Sequence, residues 1–244
     1  MPGALENKIA IVTGASRGIG AATARLFAQE SATVVLASRS EKRLQAIADD
    51  INRGLKQRRA LAVPTDVSKE DQVRRLFETT KASFGCVDIL VNNAAVVEVR
   101  DFVDMDLQTW EETMAVNVRG AFLCAREAFR QMIAAGKGGA IINMTSLSGV
   151  RGPEKFPGLS AYVVSKYGVL GLSDILAVEG KPYNIRVNSI APGAVDTAML
   201  KKAAPFLSTK IKPDDIAKTI LFFADEKQSA HISGANIEIF SNES

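Results

Sequence analysis

An apolar run, Ile9-Ala10-Ile11-Val12, leads straight into Thr13-Gly14-Ala15-Ser16-Arg17-Gly18-Ile19-Gly20, and a helix-period segment opens behind it. Strand, glycine turn and helix start, in that order, constrain this chain more than any other stretch. Glycines let the backbone turn tightly and approach a pyrophosphate, while free N–H groups and the helix N-terminus supply positive potential. The spacing is G-x-x-x-G-x-G, not G-x-G-x-x-G, and glycines alone also fit an ordinary strand–helix turn. A phosphate cradle therefore requires further partners downstream.

The remaining chain supplies the scaffold such a turn needs. Ile19, Ala22 and Leu26 give the first helix a sheet-facing stripe, and residues 33–37 read as the next strand. Leu44, Ile47, Ile51 and Leu55 repeat at three- and four-residue steps, the mark of an amphipathic helix. Short apolar strands at 60–63, 89–91, 140–144, 185–190 and 237–240 alternate with helical segments at 71–84, 107–133, 161–179 and 213–224. Near-continuous apolar strands separated by helices imply a parallel sheet covered on both faces. The expectation is an α/β, Rossmann-type doubly wound three-layer fold with about seven parallel strands, one domain over residues 1–244. Dinucleotides bind such sheets at the carboxyl ends of the strands, where the winding direction reverses.

Composition removes several classes of function. A net charge of +3, with no basic run carrying interleaved aromatics, argues against nucleic-acid and membrane partners. Cys86 and Cys124 form no C-x-x-C, and a single histidine, His231, leaves neither a histidine triad nor a multi-histidine metal site, so no metal is expected. The N-terminus lacks the basic start and apolar core of a signal peptide, and no uncharged apolar run approaches a membrane span, which points to the cytoplasm. Asn143-Met144-Thr145 matches a glycosylation triplet but falls in an expected buried strand.

Cofactor choice is read from the end of the second strand. A site preferring NAD offers a carboxylate there to the ribose hydroxyls; this chain has Ser38 and Arg39, with Arg17 in the glycine turn. A guanidinium would bind a 2′-phosphate through charge-assisted hydrogen bonds, each worth about 1.5–3 kcal/mol. The expectation is NADP(H).

Tyr162 and Lys166 stand four residues apart, on one face of an expected helix. The pair alone also fits a solvated helix surface. Upstream, Asn143-Met144-Thr145-Ser146-Leu147-Ser148-Gly149 ends a strand, and Ala191-Pro192-Gly193-Ala194-Val195-Asp196-Thr197 follows downstream. Asn117 lies in Met114-Ala115-Val116-Asn117-Val118, Thr65-Asp66-Val67 follows the third strand, and Asn92-Asn93-Ala94-Ala95 follows the fourth. Asp66 and Asn92 also suit simple caps, and Thr145 or Ser148 stand beside Ser146 as candidate hydroxyls.

Together with the glycine turn, these elements over residues 8 to about 200 resemble the short-chain dehydrogenase/reductase family, in its single-domain branch, and are similar overall to 3-oxoacyl-[acyl-carrier-protein] reductases. The resemblance implies Asn117, Ser146, Tyr162 and Lys166 as the catalytic set, Ser146 being singled out by its Ser-x-x-Gly149 spacing. It implies cofactor contacts from Gly14, Ser16, Arg17, Gly18, Ile19 and Gly20, from Ser38 and Arg39, from Asp66 and Val67 beside the adenine, and from Asn93 and Ala94. Pro192 and Gly193 would wall the nicotinamide, Val195 and Thr197 would contact its carboxamide, and Tyr162 and Lys166 would also touch the cofactor. Asn117 would hold a water relaying protons to Lys166. A homo-oligomer, tetramer or dimer, built partly through the long helices is implied too.

The implied chemistry is hydride transfer between the nicotinamide and a ketone or secondary alcohol, with Tyr162 as general acid/base. A free tyrosine titrates near 10, and lowering it by two to three units takes about 3–4 kcal/mol. One ammonium about 4 Å away supplies that at an effective dielectric of about 20, so Lys166 is expected to pull the phenol down. An alcohol or sugar dehydrogenase working oxidatively is the alternative enzyme; a non-catalytic NADPH-binding regulator is the alternative of another class.

The chain departs from the family in four places. The segment from Ser146 to Tyr162 is longer, so Pro153-Glu154-Lys155 is expected to bulge at the pocket rim. The stretch between Thr197 and Pro213 is short, suggesting a trimmed lid and an open or flexible pocket for bulkier substrates. Ala95 replaces a usual glycine and is expected to crowd the ribose. The tail reads Phe240-Ser241-Asn242-Glu243-Ser244 in place of Asp-Gly-Gly.

Overall fold

The computed structural model describes residues 3–55, 57–153 and 155–240. β1 (Ile9–Thr13) feeds through the glycine turn into α1 (Gly18–Gln29), followed by β2 (Thr33–Ser38), α2 (Glu41–Leu55), β3 (Ala60–Pro64), α3 (Glu70–Phe84) and β4 (Ile89–Asn92). The second half adds α4 (Leu107–Met114), α5 (Gly120–Ala135), β5 (Gly139–Met144), α6 (Ser160–Gly180), β6 (Ile185–Pro192), α7 (Ala198–Ala203), α8 (Pro213–Ala224), α9 (Glu226–Ser229) and β7 (Asn236–Ile239). The strands form one sheet in the order β3-β2-β1-β4-β5-β6-β7, every neighbouring pair parallel. Connections run one way from β1 to β3 and the other way from β4 to β7. The crevice between β1 and β4 is thus the point where winding reverses.

Alternation along each strand divides the core between the two faces of the sheet. From β1, Ala10 and Val12 join Phe27, Leu44 and Phe223 beneath α1, α2 and α8. Ile11 points the other way and joins Leu76, Phe77, Leu123 and Met132 beneath α3 and α5. Phe27, Phe77 and Phe223 are fully buried, and each such side chain contributes about 1.5–3 kcal/mol of hydrophobic stabilisation. Polar residues on the central strands pair with each other. Asn92 Nδ2 donates to Asn143 Oδ1 at 2.9 Å, and Asn143 Nδ2 donates to Ser173 Oγ on α6 at 2.9 Å. Asn143 is therefore wholly buried, as the strand assignment of the glycosylation triplet requires.

The expected helix over residues 107–133 is broken only locally: its residues stay helical, but a π-helical turn, Ala115–Arg119, joins α4 to α5. Two tertiary contacts account for it. The Asn117 side chain is drawn to Val96 and Ser165 (see below), and Gly120 packs so tightly that a Cβ there would lie 2.7 Å from Val67 Cγ2. A single π turn of this kind reorients a side chain without ending the helix.

Candidate active site

The carboxyl ends of the strands open into a cleft of about 800 Å3. At its centre, the glycine turn is clamped by β4. Thr13 Oγ1 donates to Val91 O at 3.2 Å and accepts from Asn93 N at 3.0 Å and Ala94 N at 3.1 Å. Asn93 Nδ2 donates to Thr13 O at 2.9 Å and Gly14 O at 3.3 Å. This clamp explains the glycines: a Cβ at Gly14, where φ is +66°, would sit 2.8 Å from Asn93 Nδ2. One at Gly20 would sit 2.5 Å from the same atom. α1 then begins at Arg17 without a side-chain cap and without an acidic residue in its first turn. Its leading N–H groups and positive dipole end are available to an anion.

Towards β2 and β3, the wall carries Ser38, Arg39, Ser40 and Arg43, with Asp66 and Val67 beyond. Arg17, Arg39 and Arg43 are all exposed at this end. Arg43 had no place in the sequence expectation. The first turn of α2 brings it to the cleft because helical side chains lean toward the N-terminus, and its four-residue spacing from Arg39 was the available signal. Ala95 also lines the cleft. Positive φ among described non-glycine residues is confined to Asn7, Ser31 and Asn184, so the methyl of Ala95 entails no left-handed backbone.

Towards β5 and β6 lie Ser146, Tyr162, Lys166, Pro192, Gly193, Val195 and Thr197. Ser146 leaves the end of β5 and caps a 3-10 turn, Leu147–Gly149, its Oγ accepting from Ser148 N at 3.1 Å. Gly149 lets that turn dock on α6: a Cβ there would lie 2.6 Å from Lys166 Cβ. Helical spacing stacks Tyr162 and Lys166, with Lys166 Nζ 5.5 Å from the phenol ring centroid and donating to Met144 O at 2.7 Å. Lys166 is buried and Tyr162 half-buried.

The electrostatics run against the sequence expectation. Burial raises the Tyr162 phenol above its ordinary value, and a hydrogen bond with Ser146 only partly offsets this. Burial also pushes the Lys166 ammonium down to about 8. Desolvation is the leading cause at both groups, raising the phenol and weakening the ammonium. The geometric pairing of these two side chains therefore stands, whereas the expected net lowering of Tyr162 does not.

Two expected residues lie outside the cleft wall. Gly20 is buried within α1, where it permits the close approach of Asn93 and the Gly14 carbonyl. Asn117 faces a separate cavity of about 10 Å3 that it shares with Lys166 and Met144, near the minimum for one water. Its Oδ1 accepts from Val96 N at 2.8 Å, and its Nδ2 donates to Val96 O at 3.0 Å and Ser165 Oγ at 2.9 Å. Both amide hydrogens are spent, so a water at Asn117 would be held through an oxygen. The other expected residues, Gly14, Ser16, Arg17, Gly18, Ile19, Ser38, Arg39, Asp66, Val67, Asn93, Ala94, Ser146, Tyr162, Lys166, Pro192, Gly193, Val195 and Thr197, all line the cleft.

The departures also take shape at this end. Pro153 and Phe156 line the rim, as the longer segment suggested, and Lys155 Nζ donates to Leu147 O at 2.8 Å and Val150 O at 2.6 Å. Glu154 lies outside the described residues. The short stretch after Thr197 is not an absent lid: it forms α7, capped by Thr197 Oγ1 accepting from Leu200 N at 3.2 Å. α7 carries Lys202, which pairs with Glu98, and just beyond it Phe206 packs edge-on to Phe156 with centroids 5.6 Å apart. Phe240 at the end of β7 lines the cleft; residues 241–244 lie outside the described residues.

An uncapped helix end beside glycines, and a buried tyrosine–lysine pair beside a serine at the mouth of the same cleft, define a dinucleotide-dependent oxidoreductase. The chain belongs to the short-chain dehydrogenase/reductase family: the family model "short chain dehydrogenase" matches residues 8–207. It is 36% identical to a cis-4-hydroxycyclohexanecarboxylate dehydrogenase of Sinomonas cyclohexanicum, over 93% of this chain and 92% of that one. It is 34% identical to the 3-oxoacyl-[acyl-carrier-protein] reductase FabG of Thermotoga maritima, over 96% and 97%. The crystal structure of a short-chain type dehydrogenase/reductase from Mycobacterium marinum superposes with a TM-score of 0.91 at 35% identity, covering 96% of this chain and 94% of that one.

Proposed function

We propose that the chain, acting as one domain over residues 1–244, is an NADP(H)-dependent oxidoreductase that reduces a ketone to a secondary alcohol. The observation that carries this is the convergence of Ser146, Tyr162 and Lys166 on the cleft that also holds the uncapped start of α1. The residues fit a dinucleotide: glycines leave room for a pyrophosphate, and the helix end has neither a cap nor an acid to repel one. When bound, the nicotinamide supplies the hydride. Everything else falls to the protein.

Ser146 and Tyr162 receive the carbonyl oxygen, with Ser146 donating a hydrogen bond as negative charge develops. Tyr162 gives up its proton to that oxygen. Its raised pKa keeps the phenol protonated at neutral pH, which suits a proton donor. Lys166, fixed by Met144 O, stabilises the phenolate that results, and the small cavity shared with Asn117 can pass a proton to it through one water. Arg17, Arg39 and Arg43 make the far end a phosphate site, since no carboxylate stands at the end of β2 to engage ribose hydroxyls. NADPH should bind about 100-fold more tightly than NADH, and Arg39→Asp should erase most of that difference. Equal use of both nucleotides by the wild type, or a ratio unchanged in Arg39→Asp, would refute the NADP(H) assignment.

The reading extends to assembly. α5 and α6 expose Phe122, Ile133, Val164, Ile175 and Val178, apolar area suited to a second copy of the chain. α6 has the length and apolarity of a membrane span, but it buries Ser165, Lys166 and Ser173 against the sheet. Light scattering on the purified chain should give a dimer or tetramer mass; a monomer would refute the assembly.

A further inference from the structure

We infer that the substrate is an uncharged, largely hydrocarbon ketone, and that the site rejects ketones bearing a carboxylate or phosphate. The inference rests on the reductase reading above. The cleft has two chemically different halves. Among the described residues, every ionisable side chain on its wall other than Tyr162 belongs to the nucleotide end or the reaction centre: Arg17, Arg39, Arg43, Asp66 and Lys166. Past Tyr162, toward α7, the wall is built from Val96, Val97, Leu147, Phe156, Leu200 and Leu207 with smaller apolar residues and a few hydroxyls. Among the described residues, no Asp, Glu, Lys, Arg, Asn or Gln lines that half.

Three nearby lysines are engaged with other groups. Lys155 donates to Leu147 O and Val150 O, Lys201 pairs with Asp196 at 2.9 Å, and Lys202 pairs with Glu98. Lys166 is buried against Met144 O behind the phenol. α7 and the residues just after it, which line this half, are held by the Lys202–Glu98 pair and by Phe206 against Phe156. A charged group carried beyond the carbonyl would therefore lose water and gain no partner, a penalty an apolar group of the same shape avoids.

The test compares 4-isopropylcyclohexanone with 4-oxocyclohexanecarboxylate, a pair nearly identical in shape and differing in one charge. Calorimetric titration of each ketone into the wild-type enzyme holding NADP+, which has no hydride to give, reports binding alone; NADPH oxidation with the same two ketones reports turnover. The isopropyl ketone should bind, and be reduced in kcat/KM, on the order of 100-fold or more in preference to the carboxylate. Binding of the carboxylate within about threefold of its partner, or of neither ketone, overturns the inference. Selective binding without turnover supports the substrate class and refutes the reductase reading. Efficient turnover of the carboxylate does the reverse.

Discussion

Lys166 should weaken the fold at neutral pH, and replacing it should reveal by how much. Its ammonium titrates at about 8 in the folded protein against 10.5 for an ordinary lysine, because burial disfavours the charge. Below pH 8 both folded and unfolded chains hold the proton, so the folded state bears the full penalty of about 3 kcal/mol. Between 8 and 10.5 the unfolded chain holds more protons than the folded one, so stability rises with pH; above 10.5 the term vanishes. At pH 10 about 1 kcal/mol of the penalty remains. Lys166→Met removes this titration and also the bond to Met144 O, a pH-independent loss of about 1–3 kcal/mol. The difference in unfolding free energy between variant and wild type should therefore shift by about 2 kcal/mol in favour of wild type from pH 7 to pH 10. Urea denaturation at both pH values, at fixed protein concentration and followed by Trp110 fluorescence, measures it. A difference that stays constant with pH would show that Lys166 is not desolvated as the structure places it.

Tyr162→Phe should keep NADPH affinity within about threefold while lowering kcat/KM for ketone reduction by about 10²–10⁴-fold; near-normal turnover would remove the proton donor from the scheme. Ketone reduction by the wild type should lose kcat/KM above about pH 8, where Lys166 surrenders its charge, and a flat profile from pH 7 to 9 would contradict that role. Gly149→Ala, whose Cβ would meet Lys166 Cβ at 2.6 Å, should cost about 1–3 kcal/mol of stability in urea titrations and depress kcat by displacing Ser146. Unchanged stability and rate would mean that the 3-10 turn docks on α6 more loosely than its contacts indicate.

The layers were legible because each strand and each helix carries its own period. β1, β2, β3 and β4 each extend one residue past their expected ends and β6 two, β5 begins one residue early at Gly139, and β7 lies one residue earlier than expected. The break at Asn117 was not legible, since nothing within residues 107–133 demands it. It follows from Val96 and Ser165, which reach that turn from distant parts of the chain. α7 was missed for a related reason. Six residues are too short for a periodic signal, and the helix is held by the Thr197 cap and by Lys202 pairing with Glu98 on a distant loop.

The cleft-lining residues were legible because they cluster at strand ends, where a doubly wound sheet presents its ligands, and Arg43 escaped only by lying one helical turn further on. Charge states were harder. A Coulomb estimate at one distance treats Tyr162 and Lys166 as a pair in a uniform medium, and sequence spacing supplies that distance alone. In the protein Lys166 is buried against the end of β5 and Tyr162 is half-buried in the cleft wall, so the dominant quantity is water removed from each, which spacing does not encode. Desolvation moves the phenol up from 10.0 and the amine down from 10.5 to about 8, so two groups that titrate almost together in water are spread apart, the phenol now holding its proton more tightly than the amine. An ammonium that releases its proton more readily than the phenol does can return one to the phenolate downhill. Such a pair suits a proton donor that must be refilled after every turnover from the small cavity behind it.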